Sequence, residues 1–134
     1  MTLPTFAEDQ KESLWERFDL WQKNNAVGMT KERYLEMEEQ LGREPSPDKC
    51  PPGIEDFPEE VIEAVHIFNA LGDRVYPEIG YIGKDYTNLP ILIKLYEVDN
   101  QELLLDVLSR LDAEAIKISQ ERLKREYDKI KRKK

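Results

Sequence analysis

Five prolines lie between positions 45 and 58 of this 134-residue chain, and they limit its fold more than any other feature. They are Pro45, Pro47, Pro51, Pro52 and Pro58. Proline has no backbone N–H to donate within a helix, and it disfavours helical geometry in the residue before it. Regular helix is therefore excluded here, and the sequence predicts a helical arm over 1–44, an extended connector over 45–57 and a helical core over 58–134.

The first helix of the arm is predicted over 6–24, where Leu14, Phe18 and Trp21 recur at the spacing of one helix face. Trp15 lies beside them in the sequence. This aromatic face needs a partner surface, because an apolar patch of this size is seldom left exposed on a soluble protein. It either packs on the protein itself or forms an exposed anchor for another protein, and the sequence leaves both alternatives open.

A second arm helix is predicted after Thr30, whose hydroxyl can accept a hydrogen bond at the helix N-terminus. Tyr34, Met37 and Leu41 follow at helical spacing and are predicted to point inward, and Gly42 ends the helix. The candidate partner-binding residues of the whole chain are large aromatic side chains. They are Trp15, Phe18, Trp21, Tyr34 and Tyr81.

The core begins with an apolar helix predicted over 58–71, with Pro58 in its first position and Gly72 after its last turn. Its apolar face is wide, which predicts contacts on more than one side. Residues 75–82 are compatible with a short β-ribbon. A glycine-bearing loop follows, and four of its residues are predicted to be structural. They are Gly80, Gly83, Asp85 and Tyr86.

Either Asp85 or Asn88 can cap the next helix, predicted over 88–97, and Asp85 is the expected cap. Tyr86 is expected to pack on the core's first helix near Phe68. The last helix is predicted to open with a capping box formed by Asp99 and Glu102. Its first half carries apolar residues at spacings of four and three and should pack, whereas its charged second half should project into solvent. The fold class is therefore all-α, with about five helices and a long C-terminal one.

Charge is unevenly distributed along the chain. The net charge is −8, but residues 121–134 hold eight basic and three acidic side chains, a local net charge of +5. The first 120 residues hold 12 basic and 25 acidic side chains, a net charge of −13. An acidic body with a basic end is typical of chains that bind partners. Nucleic acid is the less favoured partner, because the acidic body repels it at longer range.

The sequence offers no convincing catalytic, cofactor or metal site. Cys50 is the only cysteine, which excludes an intramolecular disulfide and suits a reducing cytoplasm. His66 is the only histidine, and a lone helical histidine more often packs than ligates metal. The segment Gly83-Lys84-Asp85 lacks the spacing and the Ser/Thr of a phosphate-binding loop. No apolar run is long enough to span a membrane.

Three segments within residues 59–119 resemble a family of small tailed-phage proteins encoded among the tail genes. They are the helix sequence EEVIEAVHIFNAL, the loop GYIGKDYTNLP and the closing LLDVLSRLDAEAIK. The loop, with its glycine, single intervening residue and Asp-Tyr, is the most specific of the three. The similarity covers slightly under half of the chain.

Proteins of that family are regarded as tail-assembly chaperones or as the downstream partner of one. The resemblance therefore implies a non-enzymatic protein that binds another phage structural or assembly protein in the host cytoplasm, without catalytic residues. Two alternatives remain open at this point. One is a small structural component of the virion, such as a connector or plug, and the other is a nucleic-acid-binding regulator that uses the basic end. Homo-oligomerisation is compatible with each of them.

Overall fold

The computed structural model describes residues 8–132, with side chains from residue 13 onward. The predicted helix start at residue 6, and Lys133 and Lys134 of the basic end, lie outside this range. Five α-helices and one two-stranded sheet form the described part, which divides into two compact units between Phe57 and Pro58. The mainly helical class is confirmed, with five helices and a long C-terminal one, and a small two-stranded sheet adds to the helices. Within the described range, no helix has both the length and the apolar character needed to cross a membrane.

The first unit contains helices α1 (Glu8–Ala26) and α2 (Lys31–Gln40). The predicted cap is confirmed, because the backbone N–H of Arg33 donates to Thr30 Oγ1 at 3.2 Å. Gly42 follows the helix with a φ of +68°, a left-handed conformation that suits glycine.

The prediction that α2 turns an apolar face inward is wrong. Met37 is 43% exposed and Leu41 60% exposed, and α2 has no buried residue. Tyr34 is half-buried, and its hydroxyl accepts a hydrogen bond from the backbone N–H of Ser46 at 3.2 Å. Helical spacing places residues on one face, but a partner surface decides whether that face is buried.

The proline segment is not extended throughout, because a turn of 3-10 helix spans Ile54–Asp56. The Asp56 carboxylate accepts a hydrogen bond from the Gly53 N–H at 2.9 Å, which closes this turn. Lys31 Nζ lies 3.1 Å from Asp56 and 3.0 Å from Glu55, so it ties the turn to the start of α2. Prolines exclude a long helix, but they are compatible with a single helical turn that a side-chain hydrogen bond stabilises.

The second unit is built around α3 (Glu59–Ala70), which follows Pro58 and packs on the last helix. Its buried residues are Val61, Ala64, Val65 and Ile67. The predicted role of Gly72 is wrong. It does not adopt the left-handed backbone of a helix terminus, and instead it begins a β-strand.

A hairpin follows, formed by β1 (Gly72–Tyr76) and β2 (Gly80–Asp85) in antiparallel register. The suggested β-ribbon is thus present and is longer than predicted. As a result, most of the segment predicted as a loop is strand. The register shifts after Arg74, so that Val75 pairs with Tyr81. The extra residue lies in β2, which therefore has a β-bulge at this point.

Helix α4 (Leu89–Leu95) comes next, and the predicted capping role of Asp85 is wrong. The Asp85 carboxylate instead accepts hydrogen bonds from the backbone N–H of Thr87 at 3.0 Å and from its hydroxyl at 2.6 Å. These bonds form a local turn before the helix. Asn88 occupies the N-cap position without a side-chain hydrogen bond.

The long helix α5 (Gln101–Arg132) completes the second unit. Asn100 caps it, because its Oδ1 accepts a hydrogen bond from the Leu103 N–H at 3.0 Å, so the capping box predicted at Asp99 is wrong. All the buried residues of α5 lie in its first half. Tyr127 and Ile130 in its second half are each 56% exposed, which confirms the predicted division of this helix.

Candidate functional site

Asp112 lies at the point where the hairpin meets α5, and it is only 9% exposed. The residues around it in the sequence are apolar, since Leu108 and Leu111 precede it on the buried face of α5. A carboxylate is costly to bury unless it is hydrogen-bonded. The groups that donate hydrogen bonds to Asp112 therefore show how the hairpin is attached to α5.

All the donors that reach Asp112 come from β2 and the residue that follows it. The Tyr81 hydroxyl donates to Oδ1, and the Tyr86 hydroxyl donates to Oδ2 at 2.5 Å. The backbone N–H of Lys84 donates to both carboxylate oxygens at 3.2 Å. Tyr86 is predicted to pack on α3 near Phe68, and in the structure its hydroxyl is bonded to α5. Asp112 thus fastens three points of the hairpin to one helix position.

Lys84 is also buried, with 8% of its surface exposed. Its ammonium donates to Asp73 Oδ1 at 2.6 Å and to the carbonyl oxygen of Leu71 at 3.2 Å. It lies 4.6 Å from the centre of the Phe68 ring. A cation at the C-terminal end of α3 is favoured by the helix dipole and by the aromatic face. Lys84 therefore joins β1, β2 and α3 and is not free to hold a phosphate.

Two glycines of β2 allow the strand to approach α5 closely. Gly80 has a φ of +84°, and a Cβ there would lie 2.7 Å from Ser119 Oγ. The same hydroxyl accepts a hydrogen bond from the Tyr81 N–H at 3.1 Å. Gly83 has a φ of +124° and faces the Asp112 carboxylate. Both glycines lie in a strand that contacts a helix, where the sequence predicted a loop.

Burial raises the pKa of the Tyr81 and Tyr86 hydroxyls, and the hydrogen bonds to Asp112 raise it further. The folded state favours the protonated form of these two hydroxyls. They therefore stabilise the folded state fully below the ordinary tyrosine pKa of about 10, and this contribution is lost as the pH rises further. We expect alkaline titration, followed by tyrosinate absorbance, to show two of the six tyrosines ionising late. The folded state should lose stability over the same alkaline range.

The matched variant for this titration is Tyr81→Phe/Tyr86→Phe, which should remove the late phase. Tyr76→Phe is the control, because Tyr76 is 50% exposed and forms none of these bonds. If all tyrosines of the native chain ionised together near pH 10 while far-UV circular dichroism stayed folded, the hydrogen bonds to Asp112 would be ruled out.

An open groove of about 490 Å³ lies between the hairpin and the second half of α5. Half of the twelve residues that line it have apolar or aromatic side chains. These residues are Phe68, Val75, Tyr81, Ala115, Ile118 and Leu123. Four charged side chains also line it, namely Asp73, Lys84, Arg122 and Glu126. Val75 is 63% exposed, so the groove presents apolar surface to solvent. The arrangement suits apolar side chains of another molecule, with charges of both signs to orient them.

The predicted partner-binding aromatics fall into both units. Trp15, Phe18 and Trp21 come together on α1, where the Phe18 ring lies 6.0 Å from Trp15 and 5.4 Å from Trp21. Phe57 completes this cluster at 5.8 Å from Phe18. Phe18 is fully buried, so it is a core residue and not an exposed anchor. The two tryptophans are half-buried.

Tyr34 on α2 lies outside this cluster of rings, and Tyr81 belongs to the second unit, where it lines the groove. Sequence reasoning missed Asp112, Lys84 and Ser119, the residues that hold the hairpin. One signal was available for Asp112, because an acidic residue interrupts an apolar helix face at that position. No comparable signal identified Ser119.

Comparisons with protein-family models, curated proteins and solved structures find no match to this chain. Within residues 13–132, no group of three or more His, Cys, Asp and Glu side chains is arranged to hold a metal ion. The groove is therefore interpreted from its own geometry and from the sequence resemblance.

Proposed function

We propose that this protein is a non-enzymatic phage assembly protein that binds another virion-assembly protein, as a tail-assembly chaperone in the host cytoplasm. The groove between the hairpin and α5 is the client-binding site. The observation that carries the proposal is this open, mainly apolar groove on a highly charged protein. Such a surface covers apolar segments of a client while the remaining surface keeps the complex soluble.

The resemblance supports the same site. Residues 59–119 include α3, both strands of the hairpin and α5 as far as Ser119. These elements supply most of the groove lining, from Phe68 on α3 to Ser119 on α5. The family likeness therefore falls on the part of the chain that builds the groove, and the α1 aromatic cluster lies outside it.

The hydrogen bonds of Asp112 support a preformed site. They hold β2 against α5, so the apolar lining is in place before a client arrives. Preorganisation lowers the entropy cost of binding. A chaperone of this kind would bind through a fixed surface and release its client when the client assembles into the tail.

The test uses tagged protein in cells infected by the phage that encodes it, with copurified proteins identified by mass spectrometry. We expect a product of the tail genes to copurify and the tagged protein to be absent from purified virions. Its presence in virions would favour the connector or plug and would contradict the chaperone proposal.

Val75→Glu tests whether the groove is the site, because it places a charge in the apolar lining at an exposed position. Tyr76→Glu is the matched control, since Tyr76 is the next residue of β1, is 50% exposed and does not line the groove. We expect Val75→Glu to reduce client recovery about tenfold or more, as loss of an interface hot spot does, with little effect from the control. Equal recovery with both variants would place the site elsewhere.

A further inference from the structure

The second half of α5 carries a basic surface with apolar side chains at its centre. Tyr127 and Ile130 are each 56% exposed, and Lys124 and Lys131 lie on the same helix face at i−3 and i+4 from Tyr127. Residues 122–132 hold six basic and two acidic side chains. In the described part of the chain, none of the six basic groups forms an ion pair. We call the surface formed by Lys124, Tyr127, Ile130 and Lys131 the basic face.

A cleft of opposite charge lies at the other end of the same helix. It has a volume of about 200 Å³, and Ala64, Val98 and Leu104 contribute its apolar lining. Five carboxylates surround them, from Glu59, Glu60, Glu63, Glu97 and Asp99. Within the described residues these carboxylates have no basic partner. A cavity of about 150 Å³ admits a benzene ring, so this acidic cleft has room for a tyrosine ring.

The basic face and the acidic cleft complement each other, but they cannot meet within one molecule. Leu104 of the cleft and Tyr127 of the basic face lie on the single helix α5, 23 residues apart. At 1.5 Å per residue the separation is about 35 Å. Among the described residues, these two surfaces can therefore pair with each other only between copies of the chain.

We propose that the protein self-associates head to tail, with the basic face of one copy seated in the acidic cleft of the next. Tyr127 enters the cleft between the carboxylates, and the lysines pair with them. Self-pairing of two basic faces is disfavoured, because it brings like charges together. A head-to-tail contact leaves one free surface at each end, so it repeats into rings or filaments. None of the four residues of the basic face lines the groove.

The test is sedimentation velocity of the nuclease-treated full chain over a wide concentration range, at low and high salt. We expect association beyond the dimer that weakens as salt is raised. Tyr127→Ser/Ile130→Ser removes the apolar centre of the basic face, and Glu63→Lys/Glu97→Lys reverses charge in the cleft. Each variant should weaken association about tenfold or more. A mixture of the two should give 1:1 pairs and nothing larger, because only one competent interface remains.

Matched controls separate these effects from general surface changes. Leu105→Ser alters an exposed apolar residue of α5 that does not line the cleft, and Glu36→Lys/Glu39→Lys makes the same charge change on α2. Both controls should associate like the native chain. A native chain that stays monomeric overturns the proposal, as does association unaffected by either test variant, or a mixture that forms no 1:1 pair. Tight, salt-sensitive binding of a short DNA duplex to the monomer would assign the basic face to nucleic acid instead.

Discussion

Phe18→Ala is expected to lower the free energy of unfolding of the first unit by about 3–5 kcal/mol, the usual cost of removing a buried aromatic ring. Phe18 has no exposed surface, and three aromatic rings surround it. Among the described residues of this unit, Phe18 and Phe57 are the only large hydrophobic side chains that are buried. The loss is therefore comparable to the whole stability of a small unit, and much of the variant should be unfolded.

Tryptophan fluorescence during urea unfolding measures this effect selectively, because both tryptophans, Trp15 and Trp21, belong to the first unit. Leu20→Ala is the control on the same helix, since Leu20 is 49% exposed. It should change stability far less than Phe18→Ala does. If the two variants unfolded at the same urea concentration, the aromatic cluster would not be the core of this unit, and an exposed binding role for α1 would regain support.

Asp112→Ala is expected to destabilise the second unit by about 2–4 kcal/mol, because it leaves buried donors unsatisfied. The Lys84 N–H is buried and loses both of its acceptors. The Tyr81 and Tyr86 hydroxyls lose their acceptor as well, although Tyr86 is 38% exposed and can bond water. The hairpin should then detach from α5, and the groove should lose one wall.

Far-UV circular dichroism during urea unfolding measures this loss, because the second unit contains no tryptophan but holds three of the five described helices. Asp106→Ala is the matched control, since Asp106 is an exposed carboxylate on the same helix. Asp112→Asn keeps the side-chain shape and one acceptor oxygen. Its free energy of unfolding should therefore lie between those of Asp112→Ala and Asp106→Ala. Equal stability of Asp112→Ala and Asp106→Ala would show that the hairpin is held by other contacts.

The sequence predicted the features that depend on neighbouring residues. Thr30 caps α2, Gly42 follows it in a left-handed conformation, and α3 begins after Pro58, because caps and glycine or proline preferences act over three or four residues. The division of α5 into a buried and an exposed half was also predictable, since its apolar spacing gives way to charge at a defined point.

The sequence did not predict features that depend on distant residues. Met37 and Leu41 have helical spacing, but no other part of the described chain covers them. The strand over Gly80–Asp85 was predicted as a loop, because glycines favour loops unless another element approaches closely.

The chain's own sequence thus determined which segments are helical, and it separated an acidic body from a basic end. Tertiary structure alone decided that Asp112 is buried and that it attaches the hairpin to α5. Its carboxylate is stable there only because Tyr81, Lys84 and Tyr86, 26 to 31 residues away, supply hydrogen bonds. A buried charge needs donors in space, and their positions in space are set by how the hairpin folds back onto α5.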